Sequence, residues 1–123
     1  MNVNKLDKII KRFWKNERNN DVYYLGLCSE FAVALQRYLK GKGSITKHGL
    51  WHTVLKYKGY YCDVRGCMTY KQMNFNMPIG GVGGKDTTRE AQPDEIKHIY
   101  KLLNKDKVDH IYKSLKKAEK EVR

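Results

Sequence analysis

Apolar positions recur along this chain at two periods, and each change of period marks an element. Val3, Leu6, Ile10 and Phe13 are spaced i, i+3, i+7 and i+10, with Ile9 beside them. That spacing predicts an amphipathic helix over residues 2–16. Asn2 or Asn4 can cap it. Lys5, Lys8, Lys11, Arg12 and Lys15 fall largely on its other faces. A polar loop, residues 16–21, leads to the apolar run 22–27 and then to Cys28. From Ser29 to Leu39 the helical period returns, with Phe31, Leu35, Tyr38 and Leu39 as the inner stripe. Gly41 and Gly43 stop that helix, and Ser44-Ile45-Thr46 predicts a short strand.

The period then drops to two. His52-Thr53-Val54-Leu55-Lys56-Tyr57 and Tyr60-Tyr61-Cys62-Asp63-Val64 are β-rich runs separated by Lys58-Gly59. Two such runs with a Gly-containing turn between them predict a hairpin over about 52–65. With a two-residue loop, Tyr57 faces Tyr60 and Val54 faces Asp63. Side chains alternate along a strand, so His52 then shares a face with Asp63 as its diagonal neighbour. Regular periodicity fails over 66–92, which suggests partly buried irregular chain. Residues 80–84 are Gly-rich, but the positions a phosphate-binding P-loop needs hold Ile79 and Asp86. A mobile cover over the Cys28 face is the expectation for that stretch. Helices are predicted over 93–104, with Pro93 in the first turn, and over 107–122. A break is expected near Asn104-Lys105-Asp106. The whole pattern predicts an α+β fold. A small antiparallel sheet packs against a Cys-bearing helix, with N-terminal and C-terminal helices, in one domain over 1–123.

Composition changes the picture in one respect. Lys and Arg number 25 against 13 Asp and Glu, a formal net charge of +12. Such a surface attracts polyanions: nucleic acid or an acidic protein surface. Lys outnumbers Arg, which favours point-charge contact with phosphate over bidentate readout. No apolar run approaches the length of a membrane span. Cys28, Cys62 and Cys67 are an odd set with two members only five apart, a poor disulfide framework. Reduced thiols, a cytoplasmic location and no membrane association are the expectations.

The candidate chemistry lies in Cys28, His52 and Asp63. A thiol at a helix N-terminus meets the positive end of the dipole, which favours thiolate. An imidazole as base and a carboxylate as orienter complete a nucleophile set. A second chemistry, a zinc site from Cys28, His52, Cys62 and Cys67, is weakened by the loose Cys-x4-Cys spacing and by the opposite strand parity of Cys62 and Asp63. No cofactor or metal is expected. His48, His98 and His110 read as ordinary surface residues.

The segments Cys28–Leu35, His52–Leu55 and Tyr60–Gly66 resemble those of the papain-like and transglutaminase-like superfamily, including its NlpC/P60-related enzymes. The resemblance covers about 40 residues, and a degenerate or phage-encoded member fits the size. It implies a Cys-bearing helix on an antiparallel sheet, with Cys28 as nucleophile, His52 as base and Asp63 as orienter. It also implies a cysteine-dependent hydrolase or acyltransferase acting on an amide or ester bond, with a peptide or protein amide as substrate. The alternative is a non-catalytic basic binding protein or inhibitor, acting on nucleic acid or nucleic-acid machinery. Nine tyrosines, several beside lysines, suit base stacking.

Overall fold

The computed structural model describes residues 1–49, 52–76 and 88–122. In chain order these form α1 (Val3–Asn16), α2 (Val22–Leu25), α3 (Cys28–Tyr38), β1 (Ser44–His48), β2 (His52–Tyr57), β3 (Tyr60–Asp63) and β4 (Gly66–Met68). They continue with α4 (Tyr70–Asn76), β5 (Thr88–Glu90), α5 (Pro93–Leu102) and α6 (Lys105–Glu121). The strands make one antiparallel sheet in the order β4-β3-β2-β1-β5. The expected α+β class, with a Cys-bearing helix and terminal helices, is what forms. The Gly-rich segment 80–84, read as a cover, lies outside the described residues. Among the described residues no helix is long and apolar enough to cross a membrane.

Helices α1, α3 and α6 pack together on one face of the sheet. Leu6, Ile9, Ile10 and Phe13 of α1 are fully buried, as the helical spacing requires. They meet Phe31 and Leu35 of α3, Leu55 and Cys62 of the sheet, and Ile111, Leu115 and Ala118 of α6. Each fully buried large apolar side chain of this kind stabilises the fold by about 1.5–3 kcal/mol. The opposite face of the sheet carries a smaller cluster, Val54, Met68 and Met73, with Tyr61 and Tyr70 beside it.

Caps settle the ends. The Asn2 side chain accepts hydrogen bonds from the Asn4 and Lys5 N–H groups. Asn104 does the same for Lys107 at the start of α6, so the expected break between the last two helices is a capped N-terminus. The β2–β3 loop is Lys58-Gly59, both with positive φ (50° and 81°). That backbone twist matches the twist of the flanking strands and permits a two-residue hairpin. It sets Tyr57 opposite Tyr60 and Leu55 opposite Cys62. Val54 therefore falls opposite Asp63, as the alternation predicts.

Three features depart from the sequence reading. The stretch after Gly66, expected to be irregular, supplies β4, α4 and β5. A three-residue strand shows almost no periodicity of its own and is defined by its partner. The apolar residues Ile96, Ile99, Leu102 and Leu103, whose spacing predicts the inner stripe of α5, are not fully buried: Ile96, Ile99 and Leu103 pack partly buried against the core, and Leu102 is 68% exposed. Leu39, not Gly41, caps α3; Lys40, Gly41 and Gly43 then carry the positive φ of the reversal.

Edge strand β4 is fastened by α1. The Cys67 N–H points off the sheet and donates to Asp7 Oδ1 at 2.8 Å, and Asp7 is also paired with Lys11. This close approach leaves no room for a side chain at Gly66, whose φ is 124° and whose added Cβ would collide with the Asp7 carboxylate. Gly66→Ala therefore lowers stability by about 3 kcal/mol through strain and loss of the Asp7 bond. Gly59→Ala, at φ 81° with open space around it, costs only about 1 kcal/mol. Urea-unfolding midpoints of the two variants check the ranking.

Candidate active site

The hairpin places His52 and Asp63 on one face of the sheet, with Val54 between them in β2. His52 Nε2 and Asp63 Oδ2 are 2.9 Å apart, and both residues are buried. Asp63 is the first residue of the tight turn to Gly66, and its Oδ1 accepts the Arg65 N–H at 2.8 Å, an Asx turn. The Arg65 guanidinium folds back onto the same carboxylate, with Nη2 at 2.5 Å from Oδ2. Tyr24 of α2 lies against that guanidinium, 5.2 Å from ring centre to its carbon. Asp63 is thus held by both the backbone N–H and the guanidinium of Arg65 before it meets the imidazole.

Cys28 is the first residue of α3 and is 8% exposed. The Leu27 side chain makes no cap hydrogen bond at that helix start, which leaves the positive end of the helix dipole facing the thiol region. Register would bring Thr53 opposite Val64, but β3 ends at Asp63. The Thr53 backbone turns instead toward the Cys28 thiol, as does the His52 side chain. Since Nε2 of His52 is committed to Asp63, Nδ1 is the nitrogen left for the thiol. Nδ1 is buried and makes no hydrogen bond of ordinary geometry with any described residue. The two groups nevertheless lie close enough to shift each other's ionisation.

Burial opposes ionisation of Cys28. The His52 side chain, the Thr53 backbone and the charges of His52 and Lys47 outweigh it, so the thiol lies below its ordinary range. Burial likewise opposes the imidazolium, but Asp63 and Cys28 outweigh it and raise His52. Burial pushes the Asp63 carboxyl up; hydrogen bonds from His52 and Arg65, and their charges, bring it below the ordinary value. All three shifts favour a thiolate–imidazolium pair backed by a carboxylate.

Other side chains complete the surroundings. Lys47 is the cross-strand partner of Thr53, and its Nζ donates to Thr53 Oγ1 at 3.1 Å. Ser29 Oγ donates to the same oxygen at 3.2 Å. His48, expected at the surface, is 3% exposed because β1 pairs it directly with His52. Their rings stand edge to face at 6.4 Å, and His48 Nδ1 lies 2.8 Å from Thr88 Oγ1. His98 and His110 are exposed. A groove of about 290 Å³ runs beside the α3 N-terminus, lined by Gly26, Ser29, Lys47, His98, Ile99 and Leu102 among others. The half-exposed stripe of α5 forms its apolar wall.

Arg65 was legible in principle: Asp at the first turn position with Gly at the fourth predicts an Asx turn, and an Arg within it can fold back. Lys47 and His48 had no local signal, since only the sheet order brings β1 beside β2. The alternative set of Cys28, His52, Cys62 and Cys67 does not converge. Cys62 points into the helix-facing core with Leu55, on the other side of the sheet from His52.

Asp63 provides a pH test. Its folded-state pKa is depressed, so its stabilisation is complete above the unfolded carboxylate value of about 4 and is lost as pH falls through the folded value. Asp63→Asn costs about 3 kcal/mol at pH 7, because Arg65 and His52 lose their buried counter-charge. The penalty shrinks below about pH 4. Urea midpoints at pH 7 and pH 3 measure it, and an equal penalty at both would contradict the assignment. Comparison with family models, with curated proteins and with solved structures found no match to this chain.

Proposed function

We propose that the protein is a thiol-dependent hydrolase or acyltransferase, of the papain-like and transglutaminase-like kind, acting on an amide or ester bond through Cys28, His52 and Asp63. The observation that carries this reading is the buried His52–Asp63 pair at 2.9 Å with the ring's other nitrogen left for a thiol at a helix N-terminus. A buried imidazole held by a carboxylate that is itself held by Arg65 is costly to build for stability alone. It is the arrangement that generates a nucleophile.

In this reading the Cys28 thiolate attacks the substrate carbonyl carbon. The carbonyl π pair moves to oxygen, and backbone N–H groups in the first turn of α3 stabilise the oxyanion. Collapse of the tetrahedral adduct expels the amine or alcohol, which takes the proton from His52. Asp63 keeps the ring oriented and offsets its positive charge. Water then attacks the thioester with His52 as base, or an amine does so in acyl transfer. The apolar wall of α5 beside Ser29 suits an acyl group with an apolar side chain.

p-Nitrophenyl acetate provides a substrate-independent test. A burst of p-nitrophenol and one acetyl adduct on Cys28 are expected, both absent in Cys28→Ala. His52→Ala lowers the acylation rate by roughly 10²–10⁴-fold. Lys47→Gln, which keeps the triad, lowers it by roughly threefold through the raised thiol pKa. The rate rises as pH climbs through the depressed Cys28 pKa. Equal acylation of wild type and Cys28→Ala would sink the reading.

A second reading concerns an anionic partner. Among the described acids, Asp7, Asp63, Glu95, Asp109 and Glu121 are already paired with Lys or Arg, and Glu17 with His110. The +12 surplus lies on the surface, with Lys5, Lys8 and Lys15 exposed along α1. A basic binding protein that tracks a phosphate backbone uses that surplus directly. It predicts a gel shift with generic RNA or DNA whose affinity falls at least tenfold between 50 and 200 mM salt. No shift at the lower salt would eliminate it.

A further inference from the structure

Cys62 and Cys67 take no part in the site, yet they form a built pair. They are direct partners across β3 and β4, and the Cys62 thiol donates to Cys67 Sγ at 3.1 Å. The Cys67 N–H points off the sheet edge to Asp7, so theirs is a non-hydrogen-bonded pair. That is the closer kind, with Cα atoms about 4.5 Å apart, inside the span a disulfide bridges. Cys62 is fully buried, whereas Cys67 is part-exposed. One thiol can thus be reached from solvent and the other can only follow.

We propose that Cys62 and Cys67 are a dithiol modification site that a low-molecular-weight disulfide oxidises to a cross-strand bond, clamping the hairpin that carries Asp63 and Arg65. The Cys67 thiolate attacks one sulfur of the reagent RSSR; a new S–S bond forms and RS⁻ leaves. Cys62 loses its proton to that thiolate and attacks Cys67 Sγ. The mixed disulfide breaks and a second RS⁻ departs, taking up a proton from solvent. Two protein thiols are oxidised by two electrons, and RSSR is reduced to two RSH. The hydrogen bond to Cys67, and burial, hold the Cys62 thiol well above its ordinary range. The pair is therefore inert until Cys67 has reacted and placed an electrophilic sulfur beside it.

The consequence is local. Residues 62–67 enclose the turn whose Asp63 carboxylate holds His52 and whose Gly66 abuts Asp7. The two sulfurs already touch, so bond formation needs little movement of the turn. Oxidation fastens the strand pair and leaves the His52–Asp63 contact in place. This holds whether or not Cys28 acts as a nucleophile.

The test uses the full chain carrying Cys28→Ser, so that only this pair can react, and oxidised glutathione as the reagent. The expected product is monomeric and lacks two hydrogen atoms. Because trypsin cuts after Arg65, it yields the peptide Gly59–Arg65 disulfide-linked to Gly66–Lys71. Oxidation raises Tm by roughly 5 °C, since the cross-link restricts the unfolded chain. Cys62→Ala gives a stable glutathione adduct on Cys67, and Cys67→Ala gives no adduct. A terminal adduct on Cys67 in the Cys28→Ser chain, disulfide-linked dimers, or a fall in Tm on oxidation would each overturn the proposal.

Discussion

A buried carboxylate is the constraint on which the rest of this structure turns. Asp63 is almost fully shielded from water and stays ionised. That is tolerable only because Arg65 and His52 both donate to it. Each donor depends on separate architecture. Arg65 needs the tight turn that Gly66 permits and the Tyr24 ring beneath it. His52 needs the two-residue loop at Lys58-Gly59, which sets the register of β2 against β3. A one-residue slip would turn His52 to the helix face and leave the carboxylate without its imidazole.

The two faces of the sheet divide the labour. The helix-facing side carries Leu55, Tyr57 and Cys62 into the main core. The other side carries His52, Asp63 and Val54, and among the described residues a small cluster of Met68, Met73, Tyr61 and Tyr70 joins them. Cys28 reaches this second side from the start of α3, past the point where β3 stops. Early termination of β3 is therefore as important to the site as any residue in it. It frees the Thr53 backbone to face the thiol, while Thr53's side chain, on the helix face, gathers Ser29 and Lys47.

Charge is arranged on two scales. Locally, Arg65 and Lys47 bracket Cys28, His52 and Asp63, one holding the carboxylate and the other favouring the thiolate. Globally, ion pairing uses many of the acids within the fold and leaves lysines in solvent. Exposed pairs of this kind add little stability. The cationic surplus is accordingly a property of the surface that partners meet.

By itself the amino-acid sequence determined the local order of this protein. Helical spacing in 2–16 and 29–39, an Asn cap at the first helix and the Lys58-Gly59 turn are short-range instructions, and they were readable because each acts within a few residues. The shared face of His52 and Asp63 followed from strand parity alone. Tertiary structure decided what depends on distant partners. Strands β4 and β5 are three residues each and exist through their pairing. His48 is buried because β1 lies beside β2, and the α5 stripe is only partly buried because, among the described residues, it rests on the rim of the core rather than inside it. Lys47 joins the site for the same reason that His48 does. Sheet order is set by non-local packing, and no window of sequence contains it.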